Sequence, residues 1–144
     1  MNSERVYTVT DYYDGPRRGV ADVDGQPHTY SRVFDGAADD WTEVFVLRPV
    51  DAETLELMLA EWARWLRWRA AFDRGEVGID THPVLPAERA EHELRSAEIR
   101  RRLETRKGPT MRRCGRFEAT QDSYRVIWSP EAPDLTRRDL EFEP

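Results

Sequence analysis

Lysine is almost missing from this chain: of its 22 basic residues only Lys107 is not an arginine. A bias that uniform is compositional, so an arginine here is not by itself a sign of bidentate recognition. Cysteine is as scarce. The single Cys114 excludes an internal disulfide and suits a reducing compartment. It reads as a small apolar side chain on a strand rather than as a nucleophile. No apolar run approaches the ~18 residues of a transmembrane helix, and residues 1–15 alternate polar and apolar instead of forming a signal peptide. A cytoplasmic protein with no membrane partner is the expectation.

Catalytic signatures are missing too. There is no Gly-x-Ser-x-Gly, no glycine-rich phosphate loop and no cysteine–histidine motif. No two of the three histidines, His28, His82 and His92, stand three or four apart as helical metal ligands do. Asp22-Val23-Asp24-Gly25 opens like a calcium loop, but the twelfth position, which needs a bidentate glutamate, is Val33. Neither a metal nor a cofactor is expected. An enzyme ranks third among the functional readings; a pocket gathering His28, His82 and an acid is what would raise it.

What the chain does have is aromatic residues: five Trp, five Tyr and five Phe in 144 residues. With 39% hydrophobic and 35% charged residues, that marks a polar globular domain and not a disordered chain. The net charge of −6 is unevenly spread. Residues 1–61 carry −8, residues 62–116 carry +6 and residues 117–144 carry −4. The expected organisation is one α+β domain over 1–129 and an acidic tail over 130–144 bounded by prolines.

Three Asp-Gly pairs, at 14–15, 24–25 and 35–36, recur about every ten residues and punctuate an antiparallel meander. The strands between them fall at 5–13, 17–23, 27–34 and 41–48. In the fourth, residues 44–47 are apolar on both faces, so it is covered on both sides. Pro49 ends the meander. A long helix over 51–73 then holds three of the five tryptophans, with Asp51 as its cap and Gly75 as its stop. Leu55, Met58, Leu59, Trp62 and Leu66 form its core stripe, and Trp65, Trp68 and Phe72 widen the apolar arc to roughly half the circumference. After a loop over 75–86, a second helix from Pro86 to about position 107 is charged. Its apolar set is thin, with Ala90, Leu94 and Ala97 on one stripe and Ile99 and Leu103 on another. Residues 111–120 and 124–128 read as a C-terminal hairpin that joins or caps the sheet.

Two surfaces are candidates for function. The first is the excess of the long helix, where Trp65, Trp68 and Phe72 surround Arg69 beyond what a single sheet would cover. Arg69 has Asp73 four residues on as an ordinary partner. His28 and His82 join this set as binding candidates. The second is basic. Residues 95–116 hold nine bases, including Arg100, Arg101, Arg102, Arg106, Lys107, Arg112 and Arg113. They are numerous enough to neutralise several phosphates. Against it, no Phe, Tyr or Trp lies between Pro86 and Arg116 to stack on bases, and Glu91–Arg95 and Glu98–Arg102 are spaced for pairing within the helix.

The run Tyr12-Tyr13-Asp14-Gly15-Pro16-Arg17-Arg18-Gly19-Val20-Ala21-Asp22, with Gly25-Gln26-Pro27-His28 after it, resembles a family of small uncharacterised bacterial proteins. Trp65-Leu66-Arg67-Trp68 and Thr81-His82-Pro83 are similar to the same family, and the likeness extends to about residue 95. It implies a stand-alone bacterial domain and no activity. The leading functional expectation is a non-enzymatic module that binds a protein partner or a second copy of itself. The alternative is a nucleic-acid-associated protein using the 95–116 cluster.

Overall fold

The computed structural model describes residues 2–131; most of the expected acidic tail lies outside them. The first two turns follow from Asp-Gly chemistry. Asp14 and Gly15 take φ values of 53° and 121°, and Asp24 and Gly25 take 53° and 78°, the positive range that tight hairpins need. The Asp24-Gly25 turn is also clamped from outside: the Glu4 carboxylate accepts from the Asp24 and Gly25 amides at 3.0 and 2.7 Å. The third pair works differently. The Asp35 carboxylate accepts from the amides of Ala37 and Ala38, and it is Asp39 that takes the positive φ. This is a longer loop closed by a side chain.

The turns link β1 (Glu4–Tyr12), β2 (Pro16–Val23), β3 (Gln26–Asp35) and β4 (Asp40–Pro49), each antiparallel to the next. Two helices intervene before β5 (Met111–Ala119) and β6 (Tyr124–Pro130). The fold is mixed α+β as expected, but the sheet is a closed six-stranded barrel and not an open meander. The terminal hairpin makes the difference. β5 pairs with β4, and β6 returns to β1 through Glu4–Val126 and Arg5–Arg125. The hairpin thus joins the sheet on both sides instead of capping it. β6 extends to Pro130, and Glu131, the last described residue, forms an ion pair with Arg112.

The barrel interior is filled by Val6, Ala21, Val23, Tyr30, Phe45, Leu47, Val126 and Trp128. Its rings meet edge-on or tilted, Tyr30 on Phe117 at 5.1 Å and Phe45 on Trp128 at 5.6 Å between centroids. Gly19 lets the Tyr30 hydroxyl cross the wall and donate to the Thr8 carbonyl at 2.8 Å. In β4, Phe45 and Leu47 point inward while Val44 and Val46 are half-buried.

α1 (Ala52–Asp73) starts as its sequence requires, with the Asp51 carboxylate accepting from the Thr54 amide at 2.8 Å. It ends at Gly75, φ 74°, where the Glu76 amide returns to the Ala71 carbonyl. Pro86–Glu88 form a short 3-10 turn that leads into α2 (Arg89–Thr105). α1 lies along β1, and α2 lies along α1.

The packed face of α1 differs from the expected one. Leu66, assigned to the core stripe, is 46% exposed, whereas Trp68, assigned to its flank, is 3% exposed. Thr54 and Ala71 are the other buried residues of the helix. At 100° per residue these three centre roughly 140° round the helix from the expected stripe. The cause is the loop after α1, which covers the Trp68 side. Trp68 stacks on Phe72 and meets the edge of His82, and its indole N–H donates to the Thr81 hydroxyl at 2.8 Å. Arg89 fastens the loop to α2 by donating to the carbonyls of Thr81 and His82.

Candidate ligand-binding cleft

The ladder between β1 and β6 spans Glu4 and Arg5, and the rest of β1 runs on past the start of β6 at Tyr124. Over that overhang, α1 and α2 form a cleft of about 740 Å³ whose floor is the stretch of β1 from Thr8 to Tyr12. One wall is Met58, Trp62, Trp65 and Arg69 of α1; the other is His92, Ser96, Ile99, Arg100 and Leu103 of α2. His82 and Pro83 close one end. The size and the largely apolar lining, with a few converging polar groups, are those of small-molecule sites.

Trp62 and Trp65, three residues apart on α1, stack on each other at 4.9 Å and 19°, and both line the cleft. Glu61 sits among them on the turned face of the helix. Its side chain is 12% exposed, and a carboxylate so placed needs partners. It has two. Arg64 Nε donates to Oε2 at 2.9 Å, and His92 Nδ1 lies 2.6 Å from Oε1. Where Glu61 is ionised it can only accept, and His92 Nδ1 is then the donor. Ser96 Oγ lies 3.2 Å from the same nitrogen. Both neighbours address Nδ1, so this is not the relay of a nucleophilic triad, in which the base faces the hydroxyl with its other nitrogen. Among the described residues His92 Nε2 has no hydrogen-bond partner. In the neutral ring it is an acceptor whose orientation Glu61 fixes.

The chain of charge continues outward. Arg64 Nη1 donates to Glu88 at 3.1 Å and Arg67 binds the same carboxylate, which ties α1 to the turn that opens α2. The Arg67 hydrogen bond, with the charges of Arg67 and Arg64, holds the Glu88 carboxyl below the usual carboxylate range.

Of the six binding candidates on the first surface, Trp65, Arg69 and His82 come together in this cleft. Arg69 also pairs with Asp73 at 3.2 Å, as its spacing implied. Trp68 is buried beneath the loop and Phe72 stacks on its outer side, so both belong to the joint between helix and loop. His28 is apart, buried on β3 with Nδ1 2.7 Å from the Gln26 carbonyl. His92 supplies the second histidine of the cleft. Its partner Glu61 lies 31 residues earlier on another helix, a pairing that a search for close histidine spacings cannot meet. Periodicity held one usable signal: His92, Ser96, Ile99 and Leu103 share a stripe of α2. Among the described residues no three His, Cys, Asp or Glu side chains converge on one point as a metal would require.

The basic cluster is mostly neutralised. Arg95 pairs with Glu91, Arg101 and Arg102 with Glu98, Arg102 also with Glu53, and Arg112 with Glu131. Arg113 and Arg116 have looser partners in Asp24 and Glu118, at 3.7 and 3.6 Å. Among the described residues Arg100, Arg106 and Lys107 have no carboxylate partner. Arg100 lines the cleft; Arg106 and Lys107 line a second concavity. No described helix is long and apolar enough to cross a membrane. No family model, curated protein or solved structure matches this chain.

Proposed function

We propose that the chain binds a small molecule with a flat apolar body and an acidic group in the cleft between the helix pair and the barrel. The observation that carries this reading is the convergence of three kinds of recognition in one space of about 740 Å³. The Trp62–Trp65 pair offers aromatic surface. Arg100, without a carboxylate partner among the described residues, supplies positive charge at the rim beside the Arg69–Asp73 pair. His92, set by Glu61, supplies an oriented hydrogen-bonding group in an otherwise apolar interior. A flat acid meets all three. The resemblance to small bacterial proteins is compatible with this reading and adds no activity to it.

The anionic dye 1-anilinonaphthalene-8-sulfonate has that chemistry and tests the proposal. It should bind the native chain saturably at one site, with energy transfer from tryptophan. Trp65→Ala and Arg100→Gln should each weaken binding by about tenfold, the loss of one good contact. Absent binding, or binding indifferent to both substitutions, rejects the cleft.

A protein partner or a second copy is the second reading, favoured by Leu66, Phe72 and Ile79, large apolar side chains that stay exposed on α1 and the following loop. Light scattering after size exclusion separates the two. A monomer that binds the dye supports the cleft, and a dimer that dissociates on Leu66→Glu supports the interface.

A further inference from the structure

The end of β4, the start of α1 and the end of α2 meet around a second concavity, of about 500 Å³, on which Arg101, Arg102, Arg106 and Lys107 converge with Asp51. Its charges are unequally settled. Arg101 and Arg102 share Glu98, and Arg102 reaches Glu53 at 3.2 Å. The Asp51 carboxylate is held by the Thr54 amide at the head of α1. Arg106 has nothing comparable. Its Nε and Nη1 are out of water without a hydrogen-bond partner among the described residues, and the same holds for Nε of Arg48 behind it. Arg48 reaches Arg106 only through a long contact, Nη2 to the Arg106 carbonyl at 3.4 Å.

Both side chains are partly withdrawn from water, Arg48 is near enough for its charge to be felt at Arg106, and neither has a carboxylate partner among the described residues. Unpaired buried charge is destabilising, and like charges add repulsion. Composition does not force this, because the chain has 28 acidic residues against 22 basic ones. Burial, followed by the charge of Arg48, pushes the proton affinity of Arg106 below that of an ordinary arginine. An anion in the concavity would supply the counter-charge that no described side chain supplies.

We propose that this concavity is a phosphate-binding site in which Arg106 and Lys107, backed by Arg48 and Arg101, hold a phosphate or pyrophosphate group. Arg106, whose Nε and Nη1 are out of water, meets the phosphate as a charge and not as a two-pronged fork, and the ammonium of Lys107 adds a point charge at the rim. The site is separate from the cleft and does not depend on the dye-binding reading.

The test uses the full chain and follows melting temperature and titration calorimetry with inorganic phosphate, pyrophosphate and a nucleoside diphosphate, against chloride at equal ionic strength. Pyrophosphate should raise the melting temperature in step with the logarithm of its concentration, beyond any effect of chloride. Arg106→Met and Lys107→Gln should each weaken binding by about tenfold. Without phosphate, Arg106→Met should melt higher than the parent, because it removes a charge that lacks a partner. Trp65→Ala should leave pyrophosphate binding unchanged. Tighter binding of the nucleoside diphosphate than of pyrophosphate would make the phosphate part of a larger ligand, and equal binding would make the free ion sufficient; both support the site. If pyrophosphate acts no differently from chloride, or if Lys107→Gln binds it as well as the parent does, the proposal fails. Lys107 is exposed, so that variant keeps the test sound even if Arg106→Met does not fold.

Discussion

At Gly115 an added Cβ would lie 2.5 Å from the Trp128 ring and 2.9 Å from that of Phe45. Both rings are wedged in the barrel interior, where neighbouring Tyr30 and Phe117 leave no flexible end to yield. Overpacking of this kind costs about 1–3 kcal/mol. Gly115→Ala should therefore lower the unfolding free energy by that amount, read as a lower urea midpoint at an unchanged slope, and an unchanged midpoint would show that the interior has slack. The glycine's part was not visible beforehand, because Met111–Ala119 reads as an ordinary strand. Only its position opposite Trp128 gives the missing side chain a reason. The histidines show the same limit. Their spacings told what they do not form, whereas the Glu61–His92 pair depends on two helices lying side by side.

Local chemistry was legible wherever a residue acts on its own backbone. Asp51 caps α1, Gly75 stops it, Asp24-Gly25 turns the hairpin, and Glu91–Arg95 and Glu98–Arg102 pair one turn apart. The face of α1 was not legible, because hydrophobic periodicity weighs leucines and ignores what covers the helix. It favoured Leu66 and passed over Glu61, whose burial is compensated by Arg64 and His92. The ion-pair chain that compensates it has a pH signature. Arg67 and Arg64 lower the Glu88 carboxyl below its ordinary 4.5, so the unfolded chain takes up that proton first as pH falls. Stability from this carboxylate is complete above 4.5 and is lost as pH drops through the lowered value. Glu88→Gln should cost about 1–2 kcal/mol at pH 7, and the gap between variant and parent should close in acid. Urea unfolding of both chains at neutral and acid pH checks this; a gap that stays constant would mean that Glu88 acts through packing alone.

For the whole molecule, the uneven charge is largely settled inside the fold. The basic middle of the chain finds its acids within α2, on α1, on the Asp24 turn and at Glu131. This matters for the nucleic-acid alternative, whose strength depends on how many bases are free to displace counterions. The logarithm of affinity falls with the logarithm of salt by about 0.9 for each phosphate neutralised on duplex DNA. Nine free bases would give a slope of about −8, whereas Arg100, Arg106 and Lys107 alone give about −3. Those three also face two different concavities, so a single duplex would not engage them together. A salt titration with mixed-sequence duplex should accordingly give weak binding and a slope no steeper than about −3. A slope near −8 would mean that the ion pairs of α2 and β5 open on contact with the polyanion, and the basic face would then replace the cleft as the functional surface of the molecule.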